Sequence, residues 1–350
     1  MADRLRSIAT RAGSAAVRGP VADNLIAALE RLAPWRRGTL AVLTYHRVDF
    51  ADARPDLLPS LISASPRDFA GQVDGLSRFA HPVSLGEVLD ALPHPRQLPR
   101  RAVLVTFDDA YLDFAHHAWP ILRAAGIPAT LFVPTAYADR TRPGFWWDRL
   151  WAAVRSTSSE TLPDAPIGPR PLRTTEERAA ALGSLRTFIK SRPHDEAMGV
   201  VEQLISVLGG ARADPAGDVL GWDELRRLSL EGVTLVPHTR THPLLDRLPL
   251  DRAVDEIFAA HQDLEREVGP TPAVLAYPSG AHSGDAVEAA RRAGMTLAFT
   301  TERGGNDLRH ADPLRLRRIN VGKRARTPLL RAQLLWASTI DSRTRRSPVR

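Results

Sequence analysis

The chain has 350 residues, with 47 basic and 40 acidic side chains, a formal charge of +7 and no cysteine. This composition is ordinary for a globular protein, and the lack of cysteine excludes disulfides and thiolate metal sites, which leaves histidine and carboxylate as the strong ligands. The basic residues are almost all arginine and are dispersed along the chain. No basic stripe or recognisable module indicates nucleic-acid binding.

The N-terminal segment, residues 1–38, is predicted to be a weakly amphipathic helix. It contains several arginines but no apolar core of a signal peptide. No stretch of the chain reaches the roughly 18 consecutive apolar residues of a membrane span. We therefore expect a cytoplasmic protein, and leave open a peripheral association with the inner membrane face through this helix. The oligomeric state is not predicted.

From residue 40 onward, short apolar runs alternate with longer helical patterns. This alternation predicts βα units and a parallel sheet or barrel, in one α/β domain over residues 39–335. The runs are almost continuously apolar, which is typical of strands buried on both faces. The predicted strands are 40–45, 82–85, 102–107, 129–133, 232–236, 273–277 and 296–300. The predicted helices are 66–79, 112–125, 222–230, 251–268 and 285–293.

Two segments do not follow this alternation of apolar runs and helical patterns. Residues 138–218 contain an aromatic cluster, Phe145-Trp146-Trp147, then a polar, proline-rich stretch and further helical patterns. This segment is too long for a simple loop, so we interpret it as an insertion in the same domain. Residues 336–350 are basic and lack apolar periodicity, and we predict a disordered tail there.

Four polar motifs each follow a predicted strand: His46, the pair Asp108 and Asp109, His238-Thr-Arg-Thr-His242, and residues 277–280. Each alone has an ordinary explanation, such as a helix cap, a chance pair of histidines or a turn. In a β/α barrel, however, the carboxyl ends of the strands converge, so these motifs should meet. One Asp with two His at i, i+4 forms a three-ligand site with an open position, as in catalytic metal centres. The second Asp would then be free to act as a base.

These motifs resemble those of the polysaccharide deacetylases, the carbohydrate esterase family 4 or NodB-homology group. Thr-Phe-Asp108-Asp109-Ala-Tyr resembles the first motif, His238-Thr-Arg-Thr-His242 the second, and Ala-Tyr277-Pro-Ser-Gly the third. Leu-Thr-Tyr-His46-Arg-Val is similar to the N-terminal motif of the permuted subgroup that includes poly-N-acetylglucosamine deacetylases. The resemblance covers residues 40–322. It implies a distorted, incomplete (β/α) barrel of the NodB type, a single domain with an insertion.

The resemblance also implies a role for each motif. Asp109, His238 and His242 would bind a divalent metal, usually Zn²⁺ in this family, with Ni²⁺ or Co²⁺ as alternatives. Asp108 would be the general base and His46 the general acid. The third motif would provide an oxyanion site through the backbone N–H of Ser279; its residues are Tyr277, Pro278, Ser279 and Gly280.

Three positions depart from the family pattern. Ala110 replaces a glycine that commonly follows the two aspartates, and would be strained if the position needs a positive φ. Ala276 and Ser279 occupy the places of an arginine that orients the base and of an aromatic residue. We expect Arg318 to supply the missing guanidinium from elsewhere in the chain.

The leading hypothesis is a metal-dependent hydrolase that removes N-acetyl groups from an amino-sugar polysaccharide, oligosaccharide or lipid-linked glycan, with an acetylated saccharide as the partner molecule. One alternative keeps the site and changes the substrate to an O-acetyl ester or a small amide. Another is a catalytically inactive saccharide-binding protein. A nucleic-acid binder ranks last.

Overall fold

The structure is a computed structural model that describes residues 37–162, 166–210 and 218–339. The predicted N-terminal helix therefore lies almost entirely outside the described residues, as does the tail from residue 340.

The fold is built on a sheet of nine strands, with a separate pair of short strands beside it. The first strands in the chain are β1 (Thr39–Tyr45), β2 (Arg47–Val48), β3 (Ile62–Ala64), β4 (His81–Val83), β5 (Ala102–Phe107) and β6 (Thr130–Val133). The remaining strands are β7 (Thr234–Pro237), β8 (Val274–Ala276), β9 (Leu297–Arg303), β10 (Asn306–Asp307) and β11 (Leu316–Asn320).

Seven strands of the main sheet run in one direction, in the order β7-β6-β5-β1-β11-β9-β8. Strand β4 extends the parallel pairing along β5, and β10 pairs antiparallel with the start of β1. The edge strands β7 and β8 face each other across a seam, where the ring of His238 donates from Nδ1 to the carbonyl oxygen of Ala276 at 2.7 Å. The sheet is thus nearly closed, and the predicted NodB-type (β/α) barrel is confirmed.

The side chains of β1 show how the barrel buries both faces of each strand. Leu40 and Val42 point into the barrel, where they pack with Phe132 and Phe299 of other strands. Ala41, Leu43 and Tyr45 belong to the apolar layer between the strands and the outer helices. Because successive residues of a strand face opposite sides, both alternating sets must be apolar when both sides are buried.

Helices cover the outside of the barrel and fill the inserted segment. The first five are α1 (Pro66–Phe79), α2 (Leu85–Ala91), α3 (Trp119–Ala124), α4 (Trp146–Ser156) and α5 (Thr175–Lys190). The others are α6 (His194–Val207), α7 (Trp222–Leu230), α8 (Leu250–Val268), α9 (Gly284–Arg292) and α10 (Thr327–Thr339). The bounds of α1 and α7 match the predicted ones.

The predicted strand over residues 82–85 was wrong at its end, because Leu85 begins a helix. Ser84 is the N-cap of α2: its hydroxyl accepts from the backbone of Glu87, whose carboxylate accepts from the backbone of Ser84. This reciprocal capping box favours a helix that begins at Leu85, an apolar residue that the alternating pattern had assigned to the strand. The helix predicted over 112–125 is a π-helical turn, Phe114–Ala118, followed by α3.

Two late elements were not predicted from the sequence. Strand β11 contains two arginines in five residues, which obscures its apolar pattern, yet it lies between β1 and β9. Helix α10 runs to Thr339, so residues 336–339 of the predicted tail are helical. Burial on one face of α10 comes from packing on α1 and β1, which local periodicity does not reveal.

Helices α4, α5 and α6, which we call the insertion helices, pack around an apolar cluster of their own. Leu150, Trp151 and Leu185 are buried at its centre. The cluster also includes Tyr111, from the loop after β5, and Leu58. The segment that we interpret as an insertion therefore shares a core with the loops at the mouth of the barrel.

None of the helices in the described part of the chain is long and apolar enough to cross a membrane.

We expect the insertion helices to depend on their own apolar cluster. Replacing the fully buried Leu185 with alanine should lower the free energy of unfolding by about 2–5 kcal/mol, because the substitution leaves a cavity. The exposed Thr187→Ala on the same helix is the control and should change it by less than about 0.5 kcal/mol. Urea unfolding followed by circular dichroism measures both, and equal effects would contradict the prediction.

Candidate metal centre and active site

The carboxyl ends of the barrel strands surround one cavity of about 290 Å³. Its floor consists of predicted residues from three motifs: His46, Asp108, Asp109, His238 and His242. Ser279 of the third motif also lines it. The sheet thus brings together side chains that are more than 200 residues apart in the chain.

Three of these side chains form a compact group that could bind a metal. The carboxylate of Asp109 and the rings of His238 and His242 place one ligand atom each within 4.8 Å of one another. Asp109 Oδ1 lies 3.6 Å from His238 Nε2 and 3.3 Å from His242 Nε2. All three residues are buried, and Asp109 Oδ1 has no hydrogen-bond partner. A buried carboxylate oxygen without a partner is costly, and a cation between the three atoms would satisfy it.

The two histidines differ in how they are held. A carbonyl oxygen only accepts, so the contact of His238 Nδ1 with Ala276 fixes the proton on Nδ1 and leaves the Nε2 lone pair toward Asp109. Burial lowers the pKa of His238 to about 4, which keeps the ring neutral, the form that binds metals. The Nδ1 of His242 is buried without a partner, and the Trp147 ring packs against this imidazole, with centroids 4.8 Å apart.

The loop that presents the two histidines is held by the strand ladder and by α8. His238 N–H donates to Val133 O at 2.9 Å, which continues the pairing of β7 with β6. Glu256 of α8 accepts from the backbone N–H groups of Arg240 and Thr241 at 3.0 and 2.8 Å. These contacts fix two of the three residues between the histidines, so the backbone can bend sharply there.

The second aspartate, Asp108, is held by an arginine from the other side of the barrel. Arg318 Nη1 and Nη2 donate to Asp108 Oδ1 and Oδ2, both at 2.8 Å, and its Nε donates to Thr300 O at 2.8 Å. Arg318 is 1% exposed and Asp108 3%. Burial alone would raise the pKa of Asp108, but the Arg318 charge outweighs it and holds the pKa below its usual range. Arg318 of β11 thus reaches the carboxylate for which the sequence predicted a guanidinium from elsewhere in the chain.

Burial and a neighbouring side chain also have opposite effects on the pKa of Asp109. Burial alone would raise its pKa, and the contact with the His242 ring outweighs this effect, so that the pKa is lower than usual. His46 lines the same cavity as both aspartates. His46 follows β1, is half-buried, and its N–H donates to Ser63 Oγ at 3.0 Å.

Several motif residues have left-handed backbone. Asp109 and Ala110 have φ of 73° and 51°, His242 of 60° and Ser279 of 55°. The departure at Ala110 therefore places a side chain where glycine is favoured, and such positions cost on the order of 1–3 kcal/mol each. Because they cluster where the chain leaves the strands, the strain is concentrated at the site.

The third motif contributes one side chain to the cavity, that of Ser279. Tyr277 faces the core instead, where its hydroxyl donates to Leu314 O at 3.0 Å. Only glycine fits at position 280, because a Cβ there would lie 2.4 Å from the backbone nitrogen of Thr301. Pro278 is buried beside it in the same short turn.

The sequence did not identify the residues that the insertion contributes to the cavity. Trp147 of α4 and Arg186 and Lys190 of α5 line it beside the motif residues. One signal was available: Lys190 and Lys323 are the only lysines in the sequence, where arginine supplies every other basic side chain. Helical periodicity could not show that this face of α5 points toward the barrel mouth.

Comparison with known proteins gives three results. The sequence model of the family described as polysaccharide deacetylase matches residues 96–298. The poly-β-1,6-N-acetyl-D-glucosamine N-deacetylase of Escherichia coli K12 is 23% identical over 274 residues, which cover 77% of this chain and 35% of that protein. The O157:H7 counterpart matches with the same identity and coverage. The chain thus spans about a third of the length of these relatives.

Among solved structures, the Streptococcus pyogenes deacetylase PplD in complex with acetate is similar, with a TM-score of 0.56 and 19% identity over 85% of this chain and 98% of that one. IcaB from Ammonifex degensii has a TM-score of 0.55 and 21% identity, covering 85% and 97%. The deacetylase domain of BpsB from Bordetella bronchiseptica has a TM-score of 0.54 and 17% identity, covering 83% and 98%. At these identities the likeness shows the fold.

The pair of Arg318 and Asp108 should be strongly coupled in stability. Arg318→Met leaves a buried carboxylate without a partner and should cost about 3–5 kcal/mol of unfolding free energy. The double variant with Asp108→Asn should cost clearly less than the sum of the two single changes, because the uncompensated charge is gone. Urea unfolding in the presence of a chelator measures the cycle.

Arg317→Met is the control, because this neighbouring arginine is 21% exposed and its contact with Glu302 is at the surface. It should cost no more than about 1 kcal/mol. Additive effects of the Arg318 and Asp108 substitutions would contradict the coupling.

Proposed function

The chain belongs to the polysaccharide deacetylase family, and we propose that it is a metal-dependent hydrolase that removes N-acetyl groups from an amino-sugar polysaccharide, oligosaccharide or lipid-linked glycan. The observation that supports this best is the buried group of Asp109, His238 and His242, with a second ionised carboxylate, Asp108, beside it in one cavity. The E. coli relatives are named as N-deacetylases of poly-β-1,6-N-acetyl-D-glucosamine. Because the chain spans a third of their length, the proposal covers the class of acetylated amino sugars.

The donor set of one carboxylate oxygen and two imidazole nitrogens suits Zn²⁺, and Ni²⁺ or Co²⁺ are alternatives. The orphaned Asp109 Oδ1 and the neutral His238 ring fit such an ion. When bound, the metal would supply Lewis acidity toward the acyl oxygen and toward water. Asp109, His238 and His242 would hold it, with the rest of the cavity open to the substrate.

Asp108 is proposed as the general base. The Arg318 charge keeps its carboxylate ionised, which is the form that accepts a proton. Each carboxylate oxygen uses one lone pair for the guanidinium, so a second lone pair remains to take the proton from the attacking water. The fixed orientation would also save the cost of positioning the base during the reaction.

His46 is proposed as the general acid. An amine leaves the tetrahedral intermediate only after it has been protonated, and His46 lines the cavity from the end of the adjacent strand β1. The backbone N–H of Ser279 is proposed to donate to the oxyanion, with the loop position fixed by the close contact of Gly280 with β9. These roles divide the proton transfers between a base that is fully buried and an acid that is half-exposed.

The metal-binding part of the proposal predicts loss of Zn²⁺ from a ligand variant. His242→Ala should weaken Zn²⁺ binding at least about tenfold, since it removes a ligand without breaking a hydrogen bond of the ring. The exposed His310→Ala is the matched control and should bind as the wild type does. Calorimetric titration of chelator-treated protein measures both, and unchanged affinity in His242→Ala would contradict the ligand assignment.

The catalytic part predicts release of acetate from acetylated amino sugars by the Zn²⁺-loaded protein. Asp108→Asn should lower this rate at least about 100-fold, because general base catalysis typically contributes that much, while Zn²⁺ content is retained. The exposed Asp90→Asn is the control and should leave the rate unchanged. Metal analysis and an acetate assay test both statements.

The substrate panel should include acetyl esters and small amides as well as amino sugars. Faster hydrolysis of esters would favour the O-acetyl esterase alternative. Saccharide binding without hydrolysis of any substrate by the metal-loaded protein would refute the enzyme and favour an inactive binding protein.

A further inference from the structure

Helix α5 of the insertion brings two cationic side chains to the cavity. Arg186 and Lys190 are four residues apart, so they lie on the same face of the helix. Both line the cavity that contains Asp108, Asp109 and the two histidines. The chemistry that we have proposed assigns no task to either of them.

Both cations have hydroxyl groups, but no carboxylate, as direct partners. Lys190 Nζ donates to Ser279 Oγ at 2.8 Å, and Arg186 Nη1 donates to Ser60 Oγ at 2.9 Å. Arg186 Nε is buried without a hydrogen-bond partner. Within the described residues, no carboxylate oxygen lies within 4.0 Å of either side chain. The buried arginines Arg47 and Arg318, in contrast, each have one.

This arrangement is electrostatically unfavourable without a further partner. Burial lowers the pKa of both cations, and together with the charge of Arg186 it brings the pKa of Lys190 to about 8, against the opposing effect of Asp109. Two like charges at this spacing repel each other, and neutral hydroxyl groups only partly replace the lost hydration. An anion between them would relieve both costs, and the free Arg186 Nε is a suitable donor for it.

We propose that Arg186 and Lys190 form a subsite that selects acetylated sugars bearing an anionic group, a carboxylate or a phosphate, near the acetamido group. The subsite rests on the proposed function, because it places the anion beside the same metal group. Lys190 also contacts the Ser279 loop, so an occupied subsite would bring the anion within reach of the proposed oxyanion donor.

Binding of matched sugars to the Zn²⁺-loaded Asp108→Asn protein tests this subsite without turnover. The probes are N-acetylglucosamine, its 1-phosphate and N-acetylglucosaminuronate, which differ in the anionic group. At least one anionic sugar should bind tighter than the neutral one by about tenfold or more at low ionic strength, as expected for charge-assisted hydrogen bonds. The preference should shrink as salt is added.

Added in this background, Lys190→Met and Arg186→Gln should each reduce the preference by roughly tenfold while changing the affinity for the neutral sugar little. Lys190→Arg should retain the preference, whereas a merely structural role would weaken all the sugars alike. Arg67→Gln, which removes an exposed charge from α1, is the control for net charge and should change nothing.

Equal binding of neutral and anionic sugars would overturn the subsite. A preference that survives both Lys190→Met and Arg186→Gln would also overturn it, since the anion would then be bound by the metal. Acetate release separates this failure from failure of the proposed function. Wild-type protein that deacetylates neutral and anionic sugars equally would keep the enzyme and refute the subsite. Protein that prefers anionic sugars but releases acetate from no substrate would refute the enzyme alone.

Discussion

The direction of the strands is the constraint on which the site depends. Seven parallel strands must all end at the same mouth, so each residue that follows a strand is placed near the others without any local contact between the motifs. The ladder is continued by the motif residues themselves, as when Asp108 N–H donates to Tyr45 O at 2.9 Å. The backbone must then turn away sharply, which is why left-handed conformations are concentrated at Asp109, His242 and Ser279.

One hydrogen bond joins the closure of the barrel to the proposed metal ligands. The edge strands β7 and β8 meet where His238 donates to Ala276 O. The ring that bridges this seam is also the one whose Nε2 faces Asp109. Arg318 of β11 reaches Asp108 from the neighbouring part of the sheet, as expected for the guanidinium that the third motif lacks at Ala276. A guanidinium need only reach the carboxylate with the correct geometry, so its position in the chain is free to differ.

The insertion helices and the barrel contribute different kinds of side chain to the cavity. The barrel supplies two aspartates and three histidines at the ends of its strands, where the ladder fixes their positions. The insertion supplies the Trp147 ring against His242 and the two cations of α5. The apolar cluster that holds these helices includes Tyr111, only two residues after the proposed ligand Asp109. Packing of the insertion is thus coupled to the loop that carries both aspartates.

The sequence by itself determined six of the seven parallel barrel strands, the outer helices α1 and α7 and the grouping of Asp109 with His238 and His242, because apolar periodicity and motif spacing are local properties. It also placed the first residues after each strand at one mouth, since that follows from parallel strands alone. Only the tertiary structure decided that β11 lies between β1 and β9, that Arg318 reaches Asp108, and that α5 turns Arg186 and Lys190 toward the cavity. These depend on which faces pack together in the folded chain, where for example Arg318 reaches Asp108 across 210 residues of sequence. A strand with two arginines or a helix with a polar face gives no local signal of such packing.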